Sequence, residues 1–298
     1  MVVLRYRPGK HEKGTLQHFG EKACKADGYG GDIPAGRSTF LCFTNRSGSN
    51  FVANCLVSTG NFDAISECFN APIVINQSRK LGFTSFPEYC AAVKRKMAGQ
   101  GGAFAAKVSW NQLFFLRRLG LLDSIFEDPR YVLIRRRDLV AQAVSKSIAV
   151  QTRRFKSSHP DKGIEPKYDF RDIAGTIRSI TTSNGIFMEF FAVTGAPYFE
   201  IVYEDFVADP AAHTERLCRW LSLPATAMND EKIGLRVQRN ELNEAFQRRF
   251  VEDMKAATVD IGRGRIAKLL AEPDGRAPGR MSGLAFRLWR DLWQRRIE

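Results

Sequence analysis

The sequence predicts an α/β protein: a single domain with a mostly parallel sheet flanked by helices. Short apolar runs of strand length alternate with longer stretches of helical period. Small and basic residues fall just after two of those runs, where open parallel sheets bind their ligands. No internal repeat, Cys-x-x-Cys pair or membrane-length apolar run suggests another architecture.

Residues 1–36 are polar and rich in glycine (Gly28, Gly30, Gly31, Gly36) and read as an irregular arm. The domain is expected over 37–270. Its first strand is the apolar run from Ser38 to Thr44. The turn Asn45-Arg-Ser-Gly-Ser49 follows, then a helix to about Thr59 that Gly60 stops. A loop carrying Glu67 comes next. Ser85 to Met97 is helical and is broken by Gly99, Gly101 and Gly102. Ala103 to Ser109 reads as a strand and Asn111 to Leu119 as a helix. Beyond the breaker Asp128-Pro129, Tyr131 to Arg135 is a strand and a long helix starts at Asp138. Ile173 to Phe191 is helical by period and Tyr198 to Tyr203 is strand-like. Pro210 to Leu221 opens with a helix-start proline and carries the apolar stripe Leu217, Trp220 and Leu221. Residues 271–298 read as a Gly/Pro-rich linker and an amphipathic C-terminal helix. Leu284, Leu288 and Leu292 line that helix at i, i+4 and i+8, with arginines off the line. Such a face suits an anionic membrane surface, the domain itself, or a partner subunit in a homodimer.

The chain of 298 residues carries a net charge of +13, which points to an anionic partner. Its basic clusters, such as Arg135-Arg-Arg137 and Arg153-Arg154, come without a helix-turn-helix, zinc-finger or RNA-recognition signature, so nucleic acid is not expected. The N-terminus has no apolar signal-peptide core, and a cytoplasmic protein is expected. The six cysteines sit largely among apolar residues, as buried thiols do, and the four histidines have no metal-ligand spacing. No metal is expected.

A strand, a small-residue turn and a helix make an anion cradle. Backbone N–H groups at the helix start point at the ligand, and the helix dipole favours negative charge there. Ser47 and Ser49 add hydroxyls, Arg46 adds a cationic fork, and Gly48 gives the turn its freedom. No lysine follows Gly48, so the loop is not a Walker A loop and a nucleotide triphosphatase is not expected. By itself the turn reads equally well as an ordinary Ser/Gly connection. A second basic site follows the strand ending at Arg135. Arg136 stands at its end, and Asp138, Gln142 and Ser145 share one face of the next helix at i, i+4 and i+7. Alone, those residues also fit the wet side of an amphipathic helix.

Taken together, several stretches resemble the bacterial trehalose 2-sulfotransferase family. They are Asn45-Arg-Ser-Gly-Ser49 with Ser58-Thr-Gly60, Ile65-Ser-Glu-Cys-Phe69, Ala106-Lys-Val-Ser-Trp-Asn-Gln112, Arg136-x-Asp-x-x-x-Gln-Ala-Val-Ser145 with Ala149-Val-Gln-Thr152, and Leu235-x-x-Gln238. They occur in family order over roughly residues 38 to 250. The resemblance implies a P-loop-NTPase-like sulfotransferase fold and a sulfuryl donor, 3′-phosphoadenosine 5′-phosphosulfate (PAPS), with no metal. It implies that Arg46, Ser47, Gly48, Ser49 and Asn50 hold the 5′-phosphosulfate, and that Arg136 and Ser145, with Gln142 nearby, hold the 3′-phosphate. It implies Glu67 as catalytic base and a carbohydrate or glycolipid as acceptor. Lys107, at a strand end, fits a contact to the sulfuryl group or acceptor, or a snorkelling structural lysine. Trp110 and Asn111 fit a sugar site, and a Trp there equally fits the core. The chain departs from the pattern at Asn50, where Thr is usual, at Asp63-Ala-Ile65, which replaces Gly-x-Pro, and at Arg137, where proline is common. These changes leave the acceptor open. The residues alone are also compatible with a nucleotide or sugar kinase having a degenerate phosphate loop, or with a non-catalytic basic nucleotide- or nucleic-acid-binding protein.

Overall fold

A computed structural model describes residues 8–99, 101–155, 160, 162–224, 226–229, 233 and 241–270, with side chains up to 256. The chain divides into a unit Met1–Arg248, which holds the sheet, and a unit Arg249–Glu298.

The elements run α1 (Lys10–Phe19), β1 (Ser38–Phe43), α2 (Ser49–Ser58), β2 (Ile65–Ser66), α3 (Ala71–Leu81), α4 (Phe86–Met97), β3 (Phe104–Val108), α5 (Trp110–Arg118), α6 (Leu121–Ser124), β4 (Arg130–Arg135), α7 (Leu139–Thr152), α8 (Phe170–Thr194), β5 (Tyr198–Val202), α9 (Tyr203–Ala208), α10 (Pro210–Trp220) and α11 (Glu241–Leu270). The helix starts follow local chemistry. Ser85, Ser109, Asp138, Asp169 and Asp209 each accept a hydrogen bond from a first-turn N–H of α4, α5, α7, α8 and α10.

The five strands form one parallel sheet in the order β2-β3-β1-β4-β5. Alternate residues of each strand enter separate cores. Phe40, Cys42, Phe104, Ala106, Tyr131 and Leu133 pack with α4, α5 and α8. Leu41, Phe43, Ala105, Val132, Ile134 and Ile201 pack with α2, α9 and α10. Burial on both faces explains why the strands read as continuous apolar runs. Strand β1 is central. The chain leaves it toward β3 on one side and β4 on the other, so a crevice opens at its carboxyl end.

The expected irregular arm over 1–36 needs correction, because Lys10–Phe19 is helical and two single 3₁₀ turns follow it. Glycine content hid the helix. Leu16 and Phe19 pack on the core and Cys24 is wholly buried, so tertiary contact outweighs local composition. All six cysteines are buried and outside any disulfide. Burial, with Glu21 adding to it, pushes the Cys24 thiol up to about 11. No helix among the described residues is long and apolar enough to cross a membrane. The linker and amphipathic helix expected over 271–298 lie outside the described residues.

Candidate active site

The turn between β1 and α2 is closed by the Ser47 N–H donating to the Thr44 carbonyl at 3.1 Å. Arg46 and Gly48 both have left-handed backbones, with φ of 66° and 85°. Only glycine fits at 48. A Cβ there would stand 2.0 Å from Tyr203 Cδ2, and the positive φ already disfavours a side chain. Ser49 and Asn50 open α2, so their N–H groups have no acceptor within the helix. The Ser47 hydroxyl is completely buried and has no hydrogen-bond partner among the described residues. An unpartnered buried hydroxyl beside first-turn amides is the donor set that an anionic oxygen requires.

The second basic group adjoins the first. Arg46 Nε donates to Ser145 Oγ at 2.9 Å, and its Nη1 donates to the Phe155 carbonyl at 2.8 Å. Arg136, just beyond β4, lies over the Tyr203 ring at 5.1 Å, and its Nε donates to Glu204 Oε1 at 3.3 Å. Burial lowers the pKa of Arg46, repulsion from Arg136 lowers it further, and Tyr203 opposes the shift. Two guanidinium groups within electrostatic reach of each other favour an anion beside them. Gln142 is fully buried and donates to Thr44 Oγ1 and to the Asn45 carbonyl, both at 2.9 Å. Its amide nitrogen therefore braces the loop.

On the other side of β1, Lys107 is the last residue but one of β3, opposite Leu41, and is almost wholly buried. Its Nζ donates to Asn50 Oδ1 and, at 3.1 Å, to Glu67 Oε1. Glu67 directly follows β2, in the loop where the sequence places it, so it stands just beyond a strand end. Its Oε2 accepts from Asn70 Nδ2 at 2.9 Å, and Asn70 Oδ1 accepts from Gln112 Nε2 at 2.9 Å. Gln112 is fixed by a capping box with Ser109. A continuous polar chain thus runs from the anion loop through Asn50, Lys107, Glu67 and Asn70 to α5. The Glu67 side chain remains 33% exposed and the Lys107 side chain 5%. A carboxylate held on both oxygens and still reached by solvent can accept a proton from a group that approaches it. Trp110 packs against the core beside Phe114, 6.0 Å between ring centroids.

The profile of the Stf0 sulphotransferase family matches residues 38–253. The chain belongs to the Stf0 sulphotransferase family. The family match starts at the first residue of β1 and takes in both anion groups and the Lys107–Glu67 pair. Of the solved structures, the sulfotransferase domain of the Synechococcus PCC 7002 olefin synthase is similar at 14% identity and a TM-score of 0.43, over 68% of this chain and 77% of that one. No curated protein gives a significant sequence match.

In this Stf0 chain, motif reading assigns no role to three site features. Asn70 and Gln112 orient Glu67 through hydrogen bonds. Tyr203 and Glu204 sit immediately after β5, a strand end that the sheet rule could have flagged. His11 reaches the site from α1, upstream of the family match. Its Nδ1 accepts from the Ala71 N–H at 3.2 Å and so caps α3 next to Asn70. Leu235 and Gln238 lie outside the described residues. Burial lowers the pKa of His11 and Lys10 adds to that, while Glu67 opposes. Folding therefore disfavours the charged ring. The stability this gives is fully present above the ordinary value of 6.5 and is lost as the pH falls from there through the folded-state value. His11→Asn places an amide oxygen where Nδ1 stands and does not titrate. The variant is expected to lose less melting temperature than the parent between pH values above and below 6.5, as read by thermal denaturation. Equal losses would exclude His11 as the titrating group.

Proposed function

We propose that the protein moves a sulfuryl group from PAPS to a hydroxyl of a carbohydrate or glycolipid acceptor. The observation that carries the donor reading is the pair of adjoining anion groups, the Ser47 loop and Arg136 with Ser145, linked by the Arg46–Ser145 hydrogen bond. PAPS, as donor substrate, supplies an activated sulfuryl group on its 5′-phosphate and a separate 3′-phosphate. Ser47, the Ser49 and Asn50 amides and Arg46 would hold the phosphosulfate end. Arg136 and Ser145 would hold the 3′-phosphate, with Gln142 keeping the loop in place. Glu67 takes the acceptor's proton as its oxygen bonds to sulfur and the bond from sulfur to the phosphate oxygen breaks. Arg46 and the loop amides stabilise the charge left on that oxygen, and Lys107 bridges the donor loop and the base. The acceptor class is supported by the resemblance of the acceptor-side motifs to those of carbohydrate sulfotransferases. Family membership favours this reading over a kinase or a nucleic-acid-binding module.

Calorimetry with product nucleotide tests the donor assignment without an acceptor. Adenosine 3′,5′-bisphosphate is expected to bind markedly better than adenosine 5′-phosphate. Arg136→Ala should weaken the bisphosphate by about 1.5–3 kcal/mol, the size of a charge-assisted hydrogen bond. Equal affinities for the two nucleotides in the parent protein would refute the reading.

A further inference from the structure

We propose that Tyr203 and Glu204, the two residues leaving β5, are the positioning pair for the 3′-phosphate subsite: they fix the direction of the Arg136 fork and its distance from the Ser47 loop. The inference rests on the PAPS reading above. The Tyr203 ring touches both anion groups at once. Its Cδ2 fills the space where a Gly48 side chain would begin, and the same ring carries the Arg136 guanidinium at 5.1 Å. It acts as a spacer between the donor loop and Arg136, and enlargement of residue 48 would collide with it. Glu204 supplies the second constraint. Its Oε1 accepts from Arg136 Nε and from the Asp138 N–H, both at 3.3 Å, and its Oε2 accepts from the Arg137 N–H at 2.9 Å. One carboxylate thus straps the backbone turn after β4 and the side chain projecting from it. Burial works against its charge, but these N–H donors and the Glu204 amide outweigh burial and hold its carboxyl below the usual range.

The arrangement suits a binding role. An arginine side chain gives up substantial rotamer freedom when it is fixed, and a fork already held loses less on meeting a phosphate. Arg136 commits Nε to Glu204 and one face to Tyr203, and its terminal amino groups make no further hydrogen bond among the described residues. Those two groups are the bidentate edge that a phosphate takes. A carboxylate so close to a phosphate subsite would only repel the ligand unless it were orienting the arginine. The two roles predict opposite signs when the charge is removed.

The test is calorimetric titration of the full-length protein with adenosine 3′,5′-bisphosphate and with adenosine 5′-phosphate. Glu204→Gln keeps a carbonyl oxygen for the Arg137 N–H, so the turn retains an acceptor. It should weaken the bisphosphate by about five- to twentyfold, less than deletion of Arg136 because the guanidinium remains and only its orientation is lost, and change 5′-phosphate binding less than about twofold. Tyr203→Leu, which removes the flat ring, should weaken both nucleotides, because it releases Gly48 as well as Arg136. Tyr203→Phe should restore the preference for the bisphosphate. Tighter or unchanged bisphosphate binding by Glu204→Gln would overturn the inference, and so would a Tyr203→Leu protein with the parent's affinities. A parent protein that does not prefer the bisphosphate would instead refute the donor reading itself, and this inference with it.

Discussion

Glu67→Gln is expected to lower the rate of sulfuryl transfer by roughly 10²–10⁴-fold, the usual range for a general base, while product-nucleotide affinity stays within about twofold. The substitution keeps shape and removes the proton acceptor. Glu67 touches Lys107 and Asn70, and Lys107 and Asn50 stand between it and the anion loop, so nucleotide contacts are expected to survive its neutralisation. The amide nitrogen of Gln must face either the Lys107 ammonium or the Asn70 amide, both of which donate. One hydrogen bond is lost and the buried Lys107 ammonium loses a counter-charge, so the stability loss should exceed the roughly 1 kcal/mol of a neutral hydrogen bond. A panel of sugars and glycolipids with labelled PAPS comes first, to find a competent acceptor. Single-turnover rates at saturating donor then isolate the chemical step. Near-normal turnover by the Gln variant would rule out the base role, whatever its effect on melting temperature.

The parts of the fold legible in the sequence are those whose signals are local. The β1 run, the small-residue turn and the Gly60 stop lie within a few residues of one another. The Asp138 cap and the arginines before it are equally close in sequence. What was not legible depends on partners distant in the chain. Strand β2 has two residues, too few for a period, and exists because Ile65 and Ser66 pair with Ala105 and Ala106. Helix α3 carries Ile73, Val74 and Ile75, β-branched residues that weaken a helical reading, and is secured by Pro72 in its first turn and by His11 on Ala71. The Arg46–Ser145 and Lys107–Glu67 contacts join residues 99 and 40 positions apart. Sequence proposes both members of each pair as chemistry, but only the sheet order puts them side by side. The resemblance adds Glu67 as an expected base, and its place beside Lys107 depends on β2 pairing with β3.

Lys107→Met is expected to lower transfer by roughly 10²–10³-fold, the effect of deleting one positioned donor from a charged transition state. Methionine fills a similar volume, so the core beside Phe43 stays packed while the charge disappears. Two losses follow from the geometry. The Asn50 side chain at the start of α2 loses its tether, and Glu67 loses the cation that holds one of its oxygens. Removing one partner of a buried pair usually costs about 3–5 kcal/mol, and the one-third exposure of Glu67 puts this case below that range. A fall in melting temperature is therefore expected under either role considered for this lysine. The two roles separate in the kinetics. If Lys107 only anchors the strand end, a Met variant kept well below its melting temperature will transfer at the parent's rate. If it serves the reaction, kcat falls at full folding while adenosine 3′,5′-bisphosphate, which has no sulfuryl group, binds with nearly the parent's affinity. A rate deficit that vanished at low temperature along with the stability deficit would leave Lys107 as a structural residue and assign the charge on the transferring group to Arg46 and the loop amides alone.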